Sequence, residues 1–524
     1  MKRTFSVQPS AKAGLAQLKC CKRASRNALG AIAILAMPEH GQDARGMFPL
    51  HHAHSRRAMR QTSPSRLFFR NAAQLLTLAG APVPRRGSAL GELGIIANGG
   101  LLTEGQTILR IGSTRSLERE ALRLRAEAID CRGRVVMPGF VDSHTHLIFA
   151  GSRVDDYESR LRGKTYEEIA KAGGGIQSTA HGVAQASIHS LVQQAAGFLN
   201  QFAAYGTTTV EVKSGYGLDI AQELKILRAI RKLQENTPLD LVPTLLALHA
   251  LPGAYRGKST QYIDEVIAKL IPLAAGAAGS PDVEPGFSPA RAARKGDTTS
   301  KRQTACARLA EFIDCFCDRG AFSVEDCRRV FEAGRKFGLI PRVHAEQLAR
   351  TGAARLGIEC SAVSADHLDK LSQADIRALA GSDVVATLLP GANFHLGLKQ
   401  YPPARKLIEA GAAVALATDF NPGTSPTLNM QFILSLACTQ MRMTPAEAIS
   451  GATINAAHAL RRADRIGSLE AGKQADLIVM DVDDYREIPY YFAVNHCVVT
   501  VKRGRVTWLA AKVFLERFGS VSAS

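Results

Sequence analysis

The 524-residue sequence has no apolar run long enough to span a bilayer. Near its start the longest, ALGAIAILAM, extends only from Ala28 to Met37, whereas a crossing helix needs about 20 residues. A membrane body is therefore not expected. None of the 10 cysteines stands in a C-x-x-C pair, and Cys20-Cys21 and Cys315-Phe316-Cys317 are too close for ordinary disulfides. This spacing argues for a reducing, cytoplasmic setting. No G-x-G-x-x-G or Walker pattern surrounds Gly173, Gly174 and Gly175, so these glycines read as a helix cap and loop rather than a phosphate cradle. Nor does any helix-turn-helix, zinc-finger or RNA-binding signature accompany the net charge of +18, and nucleic acid is not an expected partner.

The charge is concentrated. Residues 1–70 hold 13 Lys and Arg against only Glu39 and Asp43, which accounts for most of the excess. A segment of residues 1–69 is therefore set apart as a basic extension. Rich in Arg and Ser and poor in acids, it resembles an organellar targeting segment. A disordered tail and a mispredicted start remain open alternatives. His51, His52 and His54 within it read as a chance cluster rather than a second metal site.

With 46% hydrophobic and 21% charged residues, the remainder has ordinary globular composition. Its length suits one large α/β barrel with an appendage, or two to three smaller domains. From about Arg70, short apolar stretches broken by Gly and Asn (LGELGIIANGGLL, TILRIG, GRVVMPGFVDSH) give strand-and-turn texture. Apolar runs then alternate with amphipathic stretches: TTTVEVKSGYG precedes DIAQELKILRAIRKLQ, and LIPRVHAEQ, VVATLLPG and AAVALATDFN recur between helical patterns. This alternation predicts a (β/α)8 barrel over residues 137–465. The Gly-, Ala-, Pro- and Ser-rich segment 274–305 reads as an exposed insertion. Residues 466–524 return to strand-and-turn texture and are expected to join residues 70–136 in one small β subdomain.

Asp142-Ser143-His144-Thr145-His146 directly follows the apolar run VVMPGFV. Residues two apart on a strand point to one side, so His144 and His146 can aim both imidazoles at one metal ion. At the C-terminal end of a barrel strand, that ion would sit in the barrel mouth, where this fold does its catalysis. His344 ends LIPRV, His367 follows SAD, and Asp419 ends AAVALAT. Imidazoles and a carboxylate at successive strand ends suit zinc or non-haem iron. His249 closes what is counted as the fourth strand; a lysine there could be carbamylated to hold a second metal, so a histidine favours one ion.

The stretch PGFVDSHTHLIFAGSRVDDYESRLRGKTYEEIAKAGGGIQST, with VEVKSGYGL, HAEQL, SADHL and ATDFNPGTSPT, resembles the imidazolonepropionases of the amidohydrolase superfamily over roughly residues 70–510. The resemblance implies a (β/α)8 barrel with a β-sandwich from both chain ends, a homodimer, and one Zn2+ or Fe3+ ion per subunit held by His144, His146, His344 and Asp419. It also implies substrate contacts from Arg153, Tyr216, His249, Gln347, Asn421, Gly423 and Thr424, with catalytic roles for Asp419, His367 and Gln347. Some family members carry Glu at the Gln347 position with a proton-handling role, which an amide cannot play. The implied reaction opens the ring of 4-imidazolone-5-propanoate. Competing readings are a cyclic-amidine deaminase on the same framework, an inactive barrel kept as an assembly module, and for Arg153 alone an ion pair with Asp155 or Asp156. Lys213 in VEVKSGYG has no role readable from the sequence.

Overall fold

A computed structural model describes residues 65–277 and 307–511. Most of the extension, most of the 274–305 insertion, the histidines at 51, 52 and 54 and the last residues of the C-terminal tail lie outside the described residues. Ser63–Ser524 forms one compact unit. Among the described residues no helix is long and apolar enough to cross a membrane.

Strands β1 (Leu67–Leu76), β2 (Ile95–Glu104), β3 (Thr107–Ser113), β4 (Glu127–Asp130) and β5 (Val135–Pro138) precede eight barrel strands. These are β6 (Phe140–Asp142), β7 (Thr207–Lys213), β8 (Asp240–Leu248), β9 (Phe312–Cys317), β10 (Ile340–Ala345), β11 (Ser364–His367), β12 (Val385–Leu388) and β13 (Val414–Leu416). The chain ends with β14 (Leu477–Met480), β15 (Cys497–Lys502) and β16 (Arg505–Leu509). Strands β6 to β13 pair in sequence order, every pair parallel. Helices such as Ile220–Gln234 and Val324–Lys336 fill the crossovers, as parallel strands require. The eight-stranded α/β barrel expected from the alternation is thus present.

The small β subdomain expected from the chain ends also forms. Strands β14 to β16 join β1 to β5 in one continuous mixed sheet, with its own core of Phe69, Leu75, Leu101, Val136, Leu477 and Val499. The apolar run Val135–Val141 divides at Gly139: its first half pairs with β1 and β14, and its second opens the barrel. His249 directly follows the third barrel strand, β8, not the fourth as counted from sequence. The fourth is β9, and Asp318 follows it.

Side-chain alternation along the barrel strands positions the site. In β10, Val343 packs outward against Gly357 of the helix Ala353–Glu359, while Arg342 stands 5.6 Å over the Phe312 ring. The interior floor is apolar, built from Val141, Val242, Phe312, Val385, Ala413 and Ala415. Buried charged residues from β7, β9, β10 and β11 lie beyond that floor, towards the C-terminal ends: Glu211, Lys213, Asp314, Arg342 and Asp366, all wholly buried.

Candidate metal centre

The barrel closes at the mouth itself. Just beyond β6 and β13, which do not themselves pair, the backbones meet: Asp419 N–H donates to His144 O (3.0 Å), and His146 N–H donates to Phe420 O (2.8 Å). Asp142 fastens the same seam, accepting from the Thr418 N–H at 3.1 Å and the Thr418 hydroxyl at 2.6 Å. Burial pushes the Asp142 carboxyl up to about 7 despite these hydrogen bonds. Between the two histidines, Thr145 ties into β7, its N–H donating to Glu211 Oε2 and its hydroxyl to Glu211 O. The His-x-His pair therefore sits in a segment braced on both sides.

Around this seam the strand ends deliver their side chains. Ring centroids of His144 and His344 are 4.5 Å apart, those of His144 and His146 5.4 Å, and those of His344 and His367 5.3 Å. His144, His146 and His344 offer ligand atoms within 4.8 Å of one another, as do His144, His367 and Asp419. All five side chains are buried. His367 and Asp419 hold left-handed backbone angles, φ +78° and +54°. For residues other than glycine this conformation is costly and tends to persist where function holds it.

These donors fit a cation. Asp419 Oδ1 lies 3.5 Å from His144 Nε2 and 3.6 Å from His146 Nε2. Those distances exceed a charge-assisted hydrogen bond and approach the roughly 3.3 Å separating ligands at 2.0–2.1 Å around a tetrahedral ion. The Nε2 atoms of His144 and His344 are buried without a hydrogen-bond partner. Such orphaned acceptors are expensive unless something else occupies them. Burial, reinforced by Lys213, pushes the His144 imidazole well below the ordinary histidine range; burial with His249 does so for His146, and burial with His344 for His367. Neutral imidazole is the form that ligates a metal. Burial lifts the Asp419 carboxyl well above the usual carboxylate range.

Behind the cluster lies a charged network that the sequence reading missed. Asp366 Oδ2 accepts from His144 Nδ1 at 2.7 Å and from the Arg342 guanidinium at 3.1 Å, and Asp314 meets His344 Nδ1 at 3.1 Å. Burial would raise both carboxyls. His344 and Lys213 outweigh it at Asp314, and Arg342 and Lys213 at Asp366, so both lie below the usual carboxylate range. The available signal was a charge at alternate positions of otherwise apolar strand runs (VEVK, FIDCFC, IPRVH), since such charges are rarely buried unless paired.

Of the remaining expected residues, Tyr216 and His249 neighbour the cluster directly. Tyr216, just past β7, has its ring 5.7 Å from that of His146, and His249 stacks on His146 at 5.4 Å. His249 Nδ1 is 2.8 Å from Gly215 O, and burial together with His344 pushes its imidazole down to about 4. Arg153 begins the helix Val154–Leu161. Its Nε donates to Asp156 Oδ2 at 3.0 Å, and its side chain is only 10% exposed. The ion pair with Asp156 weighed from the sequence thus exists, half-buried. The Arg153 guanidinium lies directly on Gly423, where a β-carbon would overlap it.

Asp156 Oδ2 also accepts from the Gly175 N–H at 2.8 Å, and Asp156 fills the space a β-carbon on Gly174 would take. The triple glycine therefore serves the placing of Arg153. In the Asn421–Thr424 turn, Asn421 Oδ1 accepts from the N–H groups of Gly423 and Thr424, and its amide nitrogen donates to Asp419 O and Thr424 Oγ1. That side chain braces its own loop. Gln347 is fixed through its backbone, whose N–H donates to Asp318 Oδ2 at 2.8 Å.

Two segments, residues 127–190 and 320–507, match the Amidohydrolase family. The chain is 43% identical over 452 residues to an imidazolonepropionase of Geobacillus kaustophilus, covering 86% of this chain and 99% of that one. It is 41% identical to an imidazolonepropionase of Chloroflexus aggregans, covering 84% and 98%. Among solved structures, a mutant atrazine chlorohydrolase of Arthrobacter aurescens complexed with zinc and atraton shares the fold, with a TM-score of 0.59 at 16% identity over 84% of this chain and 95% of that one. By sequence along almost the full length of its relatives, the chain belongs to the imidazolonepropionases of the amidohydrolase superfamily.

Proposed function

We propose that the barrel mouth hydrolyses the cyclic amide C–N bond of 4-imidazolone-5-propanoate to N-formimidoyl-L-glutamate, a step of histidine degradation. The observation carrying this reading is the convergence of His144, His146, His344, His367 and Asp419 in one buried cluster. Family membership supplies the substrate. His144, His146, His344 and Asp419 would hold a single Zn2+ or Fe3+ ion. Both ions accept mixed nitrogen and oxygen donors, and zinc accompanies the structural neighbour. Such an ion would activate a water and polarise the ring carbonyl.

The side chains divide the remaining work. The Asp419 carboxylate takes the proton of the attacking water and passes it to the departing ring nitrogen. His367, beside His144 and His344, hydrogen-bonds the oxyanion that develops on the carbonyl. Gln347 cannot titrate, so proton transfer falls to Asp419, with Gln347 left to hydrogen-bond substrate. Arg153 binds the propionate carboxylate, its Nε held by Asp156 and its terminal amino groups lying against Gly423. Tyr216, His249 and Thr424 complete the pocket, and Asn421 and Gly423 shape the surface under Arg153.

We assign the protein to a reducing, cytoplasmic setting, in line with seven described cysteines that are all unpaired. The expected assembly is a homodimer; exposed Phe394, Tyr490 and Phe492 around an apolar cavity of about 890 Å3 are consistent with a covered face. The deciding experiment is turnover of imidazolone propionate, guanine and cytosine by wild type and His344→Ala, with bound metal quantified in each. Imidazolone propionate alone should be consumed, and the variant should lose both activity and most of its ion. Turnover of guanine or cytosine instead would support the deaminase reading. Full activity in the variant would remove His344 from the site.

A further inference from the structure

Lys213 ends β7 inside the barrel, fully buried, with its ammonium 2.9 Å from Glu211 Oε1, 2.8 Å from Asp314 Oδ2 and 3.8 Å from Asp366 Oδ2. Burying an ammonium is expensive unless carboxylates surround it, and here three do. Two of the three are the groups that meet the metal-facing histidines, Asp314 at His344 Nδ1 (3.1 Å) and Asp366 at His144 Nδ1 (2.7 Å). An acceptor on Nδ1 keeps the proton there and turns the Nε2 lone pair to the centre. Arg342 reaches only Asp366 of the two aspartates, its other bonds going to Ser143 O and Ala459 O. Among the described residues Lys213 is thus the Lys or Arg ion-paired with both aspartates, closely with Asp314 and more loosely with Asp366. Without it Glu211, Asp314 and Asp366 would repel one another in a water-poor interior and carry the imidazoles with them.

We propose that Lys213 is a positioning residue of the metal centre, bridging Asp314 and Asp366 so that His344 and His144 present Nε2 to one ion at once. It does not act on substrate, because its ammonium is enclosed by these carboxylates. The inference rests on the metal reading given above. It goes beyond the ligand set by assigning the orientation of two ligands to one distant side chain.

The test compares wild type with Lys213→Met, which keeps the stem and removes the charge. Zinc affinity is measured by competition with a chromophoric chelator, and the visible spectrum of cobalt-loaded protein reports ligand geometry. Circular dichroism checks folding. The Met variant should bind zinc about 10–100-fold more weakly, the usual effect of losing an outer-shell partner, and its cobalt bands should shift. Adding Asp314→Asn to it should cost less than the two single losses combined, because both act through one network. A folded Lys213→Met with wild-type zinc affinity and cobalt spectrum overturns the proposal. Should that variant not fold, Asp366→Asn carries the test with the same readouts, and unchanged zinc affinity there overturns it. If neither variant folds, the network is a folding element and the proposal is likewise overturned. Wild type that binds neither zinc nor iron would instead refute the metal reading itself.

Discussion

At the scale of single residues, Arg153 shows how one side chain acquires a direction. Guanidinium groups on a surface helix turn freely into solvent, but here Nε is committed to Asp156 and the planar head is pressed on Gly423. That leaves a fixed fork suited to a carboxylate. Arg153→Met should raise KM for imidazolone propionate about 10–100-fold, the equivalent of losing roughly 1.5–3 kcal/mol of charge-assisted hydrogen bonding. Zinc content should stay at the wild-type level. Arg153→Lys should recover only part of the loss, because an ammonium lacks the planar fork. Steady-state kinetics with metal analysis decides this, and an unchanged KM would place the propionate elsewhere. The members of the buried histidine–aspartate cluster were legible in the sequence because each ends an apolar run. Asp314 and Asp366 were not, since a lone acid in FIDCFC or SADHL reads equally as a cap until strand register turns it inward.

Elements set the precision of that geometry. The seam just beyond β6 and β13 joins the segment bearing His144 and His146 to the one bearing Asp419, and it is pinned by Asp142 and Thr418. Thr418→Val keeps the shape but removes the hydroxyl hydrogen bond to a wholly buried carboxylate. The expected cost is about 1–3 kcal/mol of stability, visible in denaturant unfolding, together with weaker zinc binding as Asp419 loosens. Unfolding at the wild-type midpoint would show that the seam does not depend on this bond. A second element-scale device is the loop after the helix Tyr166–Lys171. A methyl group at Gly174 would meet Asp156 and Ile169, so Gly174→Ala should displace Asp156 and raise KM with little change in kcat. An equal fall in kcat and zinc content would mean that the loop supports the metal centre instead. Alternation of apolar runs with amphipathic stretches made the barrel readable. The division of Val135–Val141 between two sheets was read from sequence as falling between residues 136 and 137, two residues short of Gly139, because both halves are buried and apolar and only that glycine separates them.

For the whole molecule, the charge distribution and the site separate cleanly. Every residue assigned to metal or substrate lies between Arg153 or the His-x-His pair and Thr424, within a unit that begins at Ser63 and has its own cores. Most of the +18 charge belongs to residues 1–70. A chain starting at Ser63 should therefore fold with the same zinc stoichiometry and keep kcat/KM within about twofold, since single-digit changes in rate correspond to under roughly 1.4 kcal/mol. Its affinity for anionic surfaces or nucleic acid should fall, because non-specific binding follows the number of clustered cations and weakens with salt. Kinetics and salt-dependent retention on heparin, measured on both chains, separate the two effects. Loss of turnover with zinc retained would give the extension a part in the active site that neither its composition nor the barrel's closure requires.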